Sequence, residues 1–229
     1  MDELSRIPIF QKLRPEELEK LTRIVARRRY DRGTILFFEG DPSDSLYLIL
    51  SGSVKVYQTS EAGHEKILKV LGPREIVGEL ALLDGHPRSA TVAAMEDTEM
   101  LSISRPDFQA FAAERPEFLW KVIESLCEKL RRTSDDMVDQ SFRDVPYRLL
   151  RALDQLCAKY GEATPEGCRI ALKLGTKDLA SMVGSNLETV SRLLSQFQED
   201  GLVRLERNHV VVPDPKALAR ALEYASDWS

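Results

Sequence analysis

Gly78-Glu79-Leu80-Ala81-Leu82-Leu83-Asp84-Gly85-His86-Pro87-Arg88-Ser89-Ala90-Thr91-Val92 is the stretch around which the rest of the chain is organised. A Gly-Glu pair, a short apolar segment and a Gly-containing turn precede Arg-Ser-Ala. Glycine lets backbone come close to a ligand. An arginine fork matches a phosphate group. A carboxylate accepts hydrogen bonds from a sugar diol. Together these residues are equipped to hold a sugar phosphate.

Outward from this stretch, Tyr30 to about Ile103 has the rhythm of short strands and turns. Gly33, Gly40, Gly52, Gly63, Gly72, Gly78 and Gly85 recur between β-rich runs at 34–38, 46–50, 54–57, 67–71 and 90–94. Such spacing predicts a sandwich or barrel-like roll, whose interior can hold one small ligand. Before it, Pro15-Glu16-Glu17 opens a helix, with proline at the first position and acids at the positive end of the dipole. Arg27-Arg28-Arg29 reads as a solvated strand edge rather than a nucleic-acid patch.

After the roll, Arg105-Pro106-Asp107 starts one helix and Pro116-Glu117 a longer one. Along the second, Leu119, Ile123, Leu126, Leu130, Thr133 and Met137 follow at alternating steps of four and three. That is the a/d seam of a two-stranded contact, and it predicts a homodimer. The helix should end near Phe142, and Arg143-Asp144-Val145-Pro146 reads as a hinge. Tyr147 to Tyr160 is helical, 161–167 a polar loop and 169–174 a strand. Thr176 is placed to cap a short helix to Val183, with Gly184 as the turn. Ser185-Asn186-Leu187-Glu188 then reads as a capping box for a second helix that stops at Gly201. Two helices joined by a short glycine turn follow the helix-turn-helix plan. Val190, Leu193, Leu194 and Phe197 face inward on the second helix; Leu187, Glu188, Ser191 and Arg192 face outward near its start. A hairpin around Glu206-Arg207-Asn208 makes a wing, and Asp214-Pro215 opens a last helix.

Composition narrows the function classes. Hydrophobic residues make up 43% and charged residues 30%, as expected of a folded chain. There is no run of about eighteen apolar residues to span a membrane and no apolar leader after Met1-Asp2-Glu3, so a cytoplasmic location is expected. The net charge of −5 sits in residues 1–142, with 20 Lys/Arg against 25 Asp/Glu; residues 143–229 carry 12 of each. A neutral domain can still present a local basic face, so global charge does not exclude DNA. Cys127, Cys157 and Cys168 are widely spaced and form no CxxC pair, and the three histidines are scattered. Structural or incidental thiols are expected, with no metal.

With both ends in view, the chain resembles the CRP/FNR family of bacterial transcription regulators over nearly its whole length. Three segments carry the resemblance in order. Gly78-Glu79-Leu80 with Arg88-Ser89-Ala90 is similar to the family's phosphate-binding cassette. Leu130-Arg131-Arg132-Thr133-Ser134 is similar to its base-contacting helix segment, and Glu188-Thr189-Val190-Ser191-Arg192 to its recognition helix. The resemblance implies an α+β chain in three parts: a cyclic-nucleotide-binding β-roll (jelly roll) at 1–115, a dimerisation helix at 116–143 and a winged helix-turn-helix at 144–229. It also implies cyclic AMP as allosteric ligand. Gly78, Glu79, Leu80, Arg88, Ser89 and Ala90 would hold its ribose and phosphate; Thr133, with Ser134 of the other subunit, would hold its adenine. Double-stranded DNA with a palindromic operator would meet Thr176, Lys177, Ser185, Asn186, Leu187, Glu188, Ser191, Arg192 and Arg207. RNA polymerase is a partner implied by the family.

Two residues depart from the pattern. Arg74 stands where glycine is frequent, which puts the turn at 72–75 in question. Leu187 stands where a base-reading arginine is expected. Glu188 is also claimed twice, as capping acid and as base reader. Two other readings stand beside this one. One is a regulator of the same family acting without a cyclic nucleotide. The other is an enzyme acting on nucleotides or sugar phosphates, against which stands the lack of a placed general base, metal cluster or nucleophile–base pair. His86 is read as a turn residue.

Overall fold

The computed structural model describes residues 2–5, 7, 10–11, 13–206 and 209–226. The chain divides into two compact units, Met1–Gln58 with Leu68–Arg132, and Thr59–Ile67 with Thr133–Ser229.

In order, the first unit contains α1 (Asp2–Ser5), α2 (Pro15–Ile24), β1 (Val25–Tyr30), β2 (Ile35–Phe37), β3 (Ser45–Ser51), β4 (Val54–Thr59) and β5 (Glu65–Leu71), the last two running into 59–67. It continues with β6 (Ile76–Val77), α3 (Glu79–Asp84), β7 (Thr91–Ala94), β8 (Thr98–Ser104), α4 (Arg105–Ala113) and the start of α5 (Pro116–Phe142). Two four-stranded sheets form, in the orders β1-β8-β3-β6 and β2-β7-β4-β5. Phe37, Ile49, Val54, Leu71, Val77, Val92 and Met100 make the core shared by the two sheets. Leu46, Leu48, Leu101 and Ile103 point the other way, into a second cluster with Leu18, Leu21, Phe108, Phe111, Phe118 and Val122 of the helices. Strands β3 and β8 are therefore buried on both faces, sheet on one side and helices on the other. Period-two alternation sends neighbouring residues to different cores, as Leu48 and Ile49 show.

The expected roll is present, with strands the glycine rhythm did not mark. β8 lies between β1 and β3, pairing Leu101 with Leu48 and with Arg27. β1 is the arginine-rich stretch, an edge strand whose Arg27 and Arg29 both pair with Glu99 at 2.9 and 3.2 Å. Arg74 takes φ of +74°, the left-handed conformation a glycine would adopt, and its N–H donates to Ile49 O.

The second unit continues α5 and adds α6 (Val145–Tyr160), β9 (Gly161–Thr164), β10 (Gly167–Ile170), α7 (Thr176–Val183), α8 (Leu187–Glu199), β11 (Arg204–Glu206), β12 (His209–Val212) and α9 (Pro215–Ser226). Its sheet runs β11-β12-β10-β9. The stretch read as a polar loop holds a strand, β9, paired to β10 from Gly161↔Ile170 to Gly167↔Thr164. The break between α5 and α6 is shorter than the expected hinge: only Arg143 and Asp144 are non-helical. Asp144 caps α6 by accepting from Tyr147 N, and Pro146 sits in the first turn, where its missing N–H costs nothing. Within this unit Ser181 Oγ donates to Glu65 O at 2.7 Å and accepts from Ile67 N at 2.9 Å. No helix among the described residues is long and apolar enough to cross a membrane.

Candidate ligand site and nucleic-acid interface

The Gly78–Val92 stretch folds as a one-and-a-half-turn helix held between two left-handed glycines. Gly78 has φ of +82° and Gly85 φ of +80°, and the six residues between them are α3. Gly78 is required twice over. Its φ disfavours a side chain, and a Cβ there would run into Arg88 Nη1. The helix presents Glu79 in its first turn, while the chain returns through Pro87 to bring Arg88 under it.

Arg88 is 5% exposed. Its Nη1 donates to Gly78 O at 3.0 Å and its Nη2 to Ser45 O at 2.7 Å. The guanidinium carbon lies 3.9 Å above the Phe37 ring centre and 5.9 Å from that of Tyr47. Burial lowers the pKa of Arg88, and Tyr47, Asp44, Asp41 and Glu79 oppose that shift. Arg88 Nε is buried without a hydrogen-bond partner. A guanidinium has five N–H donors in a fork. With two directed at carbonyls, the remainder fit an anionic ligand.

Glu79 is engaged as well. Lys129 Nζ on α5 donates to Glu79 Oε1 at 2.6 Å. The pair lines a recess whose other walls, Ser125 apart, are apolar, including Ile76, Leu83, Phe118 and Leu126. Sequence reasoning missed Lys129. It lies 50 positions from Glu79, so no short-range pattern in the sequence pairs the two. Phe37, Tyr47 and Ser45 were missed too, being scattered over strands with no motif.

The other cassette residues hold the loop. Ser89 is exposed, and its carbonyl accepts from Gln58 Nε2 at 3.0 Å. Ala90 is buried and Leu80 exposed. His86 is exposed and its N–H donates to Asp84 Oδ1, as a turn residue does. Thr133 and Ser134 are exposed on α5 and belong to the second unit. On the same helix Leu119 and Ile123 are exposed, and Leu130 and Met137 are 68% and 67% exposed. Leu126 packs instead on the core of the first unit.

In the second unit α7 and α8 are joined at Gly184, whose φ is +65°. Two capping expectations are corrected here. Gly175, not Thr176, is the N-cap of α7, and its N–H donates to Asp178 Oδ2 at 2.9 Å. Asn186, not Ser185, caps α8, with its Oδ1 accepting from Thr189 N at 2.7 Å. Ser185 N is used to close α7, donating to Ala180 O. Glu188 thus has no capping duty, and the double claim on it dissolves.

Val190, Leu193, Leu194 and Phe197 are buried, as their spacing requires. Lys177, Asn186, Leu187, Glu188, Ser191 and Arg192 are exposed; Thr176 and Ser185 are half-buried. The start of α8 therefore offers an apolar residue, a carboxylate, a hydroxyl and a guanidinium from consecutive turns. Such a face can read base edges in a major groove. Arg207 lies outside the described residues. No group of three or more metal-ligating side chains exists among the described residues.

Two family models match the chain. One is the cyclic nucleotide-binding domain, over residues 27–115; the other is the Crp-like helix-turn-helix domain, over residues 147–221. The chain is 34% identical over 221 residues to a CRP-like cAMP-activated global transcriptional regulator of Mycobacterium tuberculosis, covering 96% of this chain and 99% of the relative. It is 34% identical to the cyclic AMP receptor protein of Thermus thermophilus over 211 residues, covering 92% and 94%. Among solved structures it is similar to the c-di-GMP-responsive global regulator CLP of Xanthomonas campestris, at TM-score 0.74 and 27% identity, covering 88% of this chain and 100% of that one.

Proposed function

The chain belongs to the CRP/FNR family of transcription regulators, a cyclic nucleotide-binding domain joined to a Crp-like helix-turn-helix domain, and from that premise we propose that it is a dimeric regulator whose DNA binding is switched by cyclic AMP. The observation that carries this reading is Arg88, a buried guanidinium with an unmet Nε. An ionised group so placed is costly unless an anion completes it. In this reading Arg88 and the Ser89 hydroxyl take the cyclic phosphate, and Glu79 accepts from the ribose 2′-OH. Thr133, with Ser134 of the other subunit, takes the adenine amino group.

The exposed leucine, isoleucine and methionine seam of α5 supports the dimer, since apolar a/d positions are buried in a second strand. A base shared by two chains would couple occupancy to helix packing, which is what a two-state switch needs. Two helix-turn-helix modules related by a two-fold axis would then read half-sites about one helical turn apart. The cytoplasm is the proposed location, and RNA polymerase the partner carried by the family. We also assign residues 1–115, 116–143 and 144–229 to ligand binding, dimerisation and DNA binding.

A second reading has its own support. Arg88 already serves two carbonyls and Glu79 already has Lys129, as in a pocket that works unliganded. Calorimetric titration with cyclic AMP, cyclic GMP and cyclic di-GMP decides between them, alongside operator binding with and without each. Heat from cyclic AMP and tighter operator binding support the first reading. No heat from a folded dimer at millimolar nucleotide, with unchanged operator binding, establishes the second.

A further inference from the structure

Of the three cysteines, two that are 11 residues apart in sequence meet in space. Cys157 Sγ, in the last turn of α6, donates to Cys168 Sγ, on β10, at 2.6 Å. Cys168 Sγ also faces Cys157 O at 3.8 Å. The contact is built into the fold on both sides. β10 is an inner strand, with Cys168 opposite Ala163 on β9 and Val212 on β12. α6 is capped at its far end by Asp144 and buries Leu149, Leu150, Leu153 and Leu156. Between the two, Gly161 makes room: a Cβ there would run into Cys168 Sγ and Cys157 O. Both sulfurs are carried by regular elements rather than by loops, and they already lie 2.6 Å apart.

The two thiols differ in their surroundings. Cys157 is buried and Cys168 half-buried. Burial, and then the hydrogen bond to Cys168, push the Cys157 thiol up to about 12, so it rests protonated. The more accessible Cys168 is the sulfur an oxidant meets first.

We propose that Cys157 and Cys168 form a redox-modifiable dithiol, closed by a peroxide to a disulfide that staples α6 to the sheet of the DNA-binding unit. In the first step Cys168 sulfur attacks one peroxide oxygen. The S–O bond forms, the O–O bond breaks, and the other oxygen leaves with the thiol proton as water. In the second, Cys157 sulfur attacks the sulfur of the resulting sulfenic acid. The S–S bond forms, the S–O bond breaks, and hydroxide leaves as water with the Cys157 proton. The two sulfurs lose two electrons in total and hydrogen peroxide gains them. A small thiol reverses the change by exchange. Because α7, α8 and α9 all pack on α6, the staple fixes the helix that supports the recognition helix. It also closes a short loop in the unfolded chain.

The test uses the full chain with Cys127→Ser, which removes the exposed third thiol. The reduced protein is treated with hydrogen peroxide, and thiols are then blocked and counted. Expected is the loss of both remaining thiols and of two hydrogens in mass, with no covalent dimer. A tryptic peptide pair covering 152–159 and 160–169 should be joined by a bond that dithiothreitol breaks. The oxidised form should melt higher by on the order of 10 °C, a shift absent from Cys168→Ser in the same background. The proposal is overturned if Cys168 gains oxygen while Cys157 stays titratable, if the disulfide joins two chains, or if oxidised and reduced forms melt together. The mass measurement stands even if the serine variant does not fold.

Discussion

Lys129 Nζ lies 2.6 Å from Glu79 Oε1, so the carboxylate at the head of the nucleotide cassette is held by a cation from α5. The two residues are 50 positions apart and come from different kinds of element, a six-residue helix and a 27-residue one. Lys129 pairs with Glu79 through Oε1, and under the proposed function Oε2 is the oxygen that accepts from the ribose hydroxyl. Lys129→Met is therefore expected to weaken cyclic AMP binding by about tenfold, roughly 1.4 kcal/mol, while Lys129→Arg retains most of it. Calorimetry of both variants checks this. Binding unchanged in Lys129→Met would show that Glu79 needs no such support.

Under the proposed function Arg88 serves structure and ligand together, and its variants should separate the two. Arg88→Leu removes the donors to Gly78 O and Ser45 O. Each unmet carbonyl costs about 1–3 kcal/mol when buried, so the melting temperature should fall. The same change removes the phosphate partner and should abolish nucleotide-stimulated operator binding. Arg88→Lys keeps a charge but loses the fork. It is expected to recover part of the stability and little of the nucleotide affinity. A leucine variant with wild-type nucleotide affinity would refute the phosphate role.

The junction of α2 with α4 and α5 carries a pH dependence. Glu17 accepts from the Arg14 side chain at 3.1 Å and from Arg14 N at 2.8 Å, and Arg115 Nε donates to it at 3.1 Å. The Arg14 side chain, then the Arg14 N–H, with Arg115 contributing, hold its carboxyl down at about 2 against the opposing effect of burial. A carboxyl whose folded pKa is depressed stabilises the fold above its unfolded value, about 4.3. That contribution is lost as pH falls from there toward 2. Urea midpoints between about pH 5 and about pH 2 should drop for the wild type and drop less for Glu17→Gln. Arg115→Met removes one of the two arginine partners of Glu17 and leaves Arg14 in place, so it should lower stability at neutral pH by less than the loss of both partners would. Parallel pH curves for wild type and Glu17→Gln would remove Glu17 from this account.

Much of this was legible in the residues, and the exceptions have physical causes. The roll, the long helix and the two-helix module followed from glycine spacing, an a/d seam and buried i, i+3, i+4, i+7 positions. β8 escaped because it is buried on both faces, which mixes the alternation: Met100 goes to one core, Leu101 and Ile103 to the other. β9 escaped because Gly161-Glu162-Ala163-Thr164 has no strand composition, and only pairing to β10 makes it a strand. The cap of α8 was misplaced by one residue because Ser185 and Asn186 are both good caps. What decided it was the closure of the preceding helix: Ser185 N was already spent on Ala180 O. Arg88 and Glu79 were found by motif. Their partners Ser45, Phe37 and Lys129 were not, since contacts across sheets and helices leave no short-range pattern.

The recognition helix carries the sharpest departure. Leu187 is 53% exposed at the first position of α8, with Glu188, Ser191 and Arg192 exposed beside it. A leucine there can touch a thymine methyl but cannot donate to guanine O6 and N7. Leu187→Arg is therefore expected to change the preferred base at one position of each half-site, by about 1–3 kcal/mol of discrimination. Binding selection from a randomised palindrome, run on wild type and variant, reads this directly. The wild type should enrich thymine at that position and the variant guanine, with the other positions unchanged. Arg192→Ala should flatten a different position and weaken specific binding more than non-specific binding. An equal loss on both kinds of DNA would move Arg192 from base reading to the phosphate backbone. If Leu187→Arg alters affinity but no base preference, the start of α8 is not the element that faces the bases, and the reading of Glu188 as a base reader fails with it.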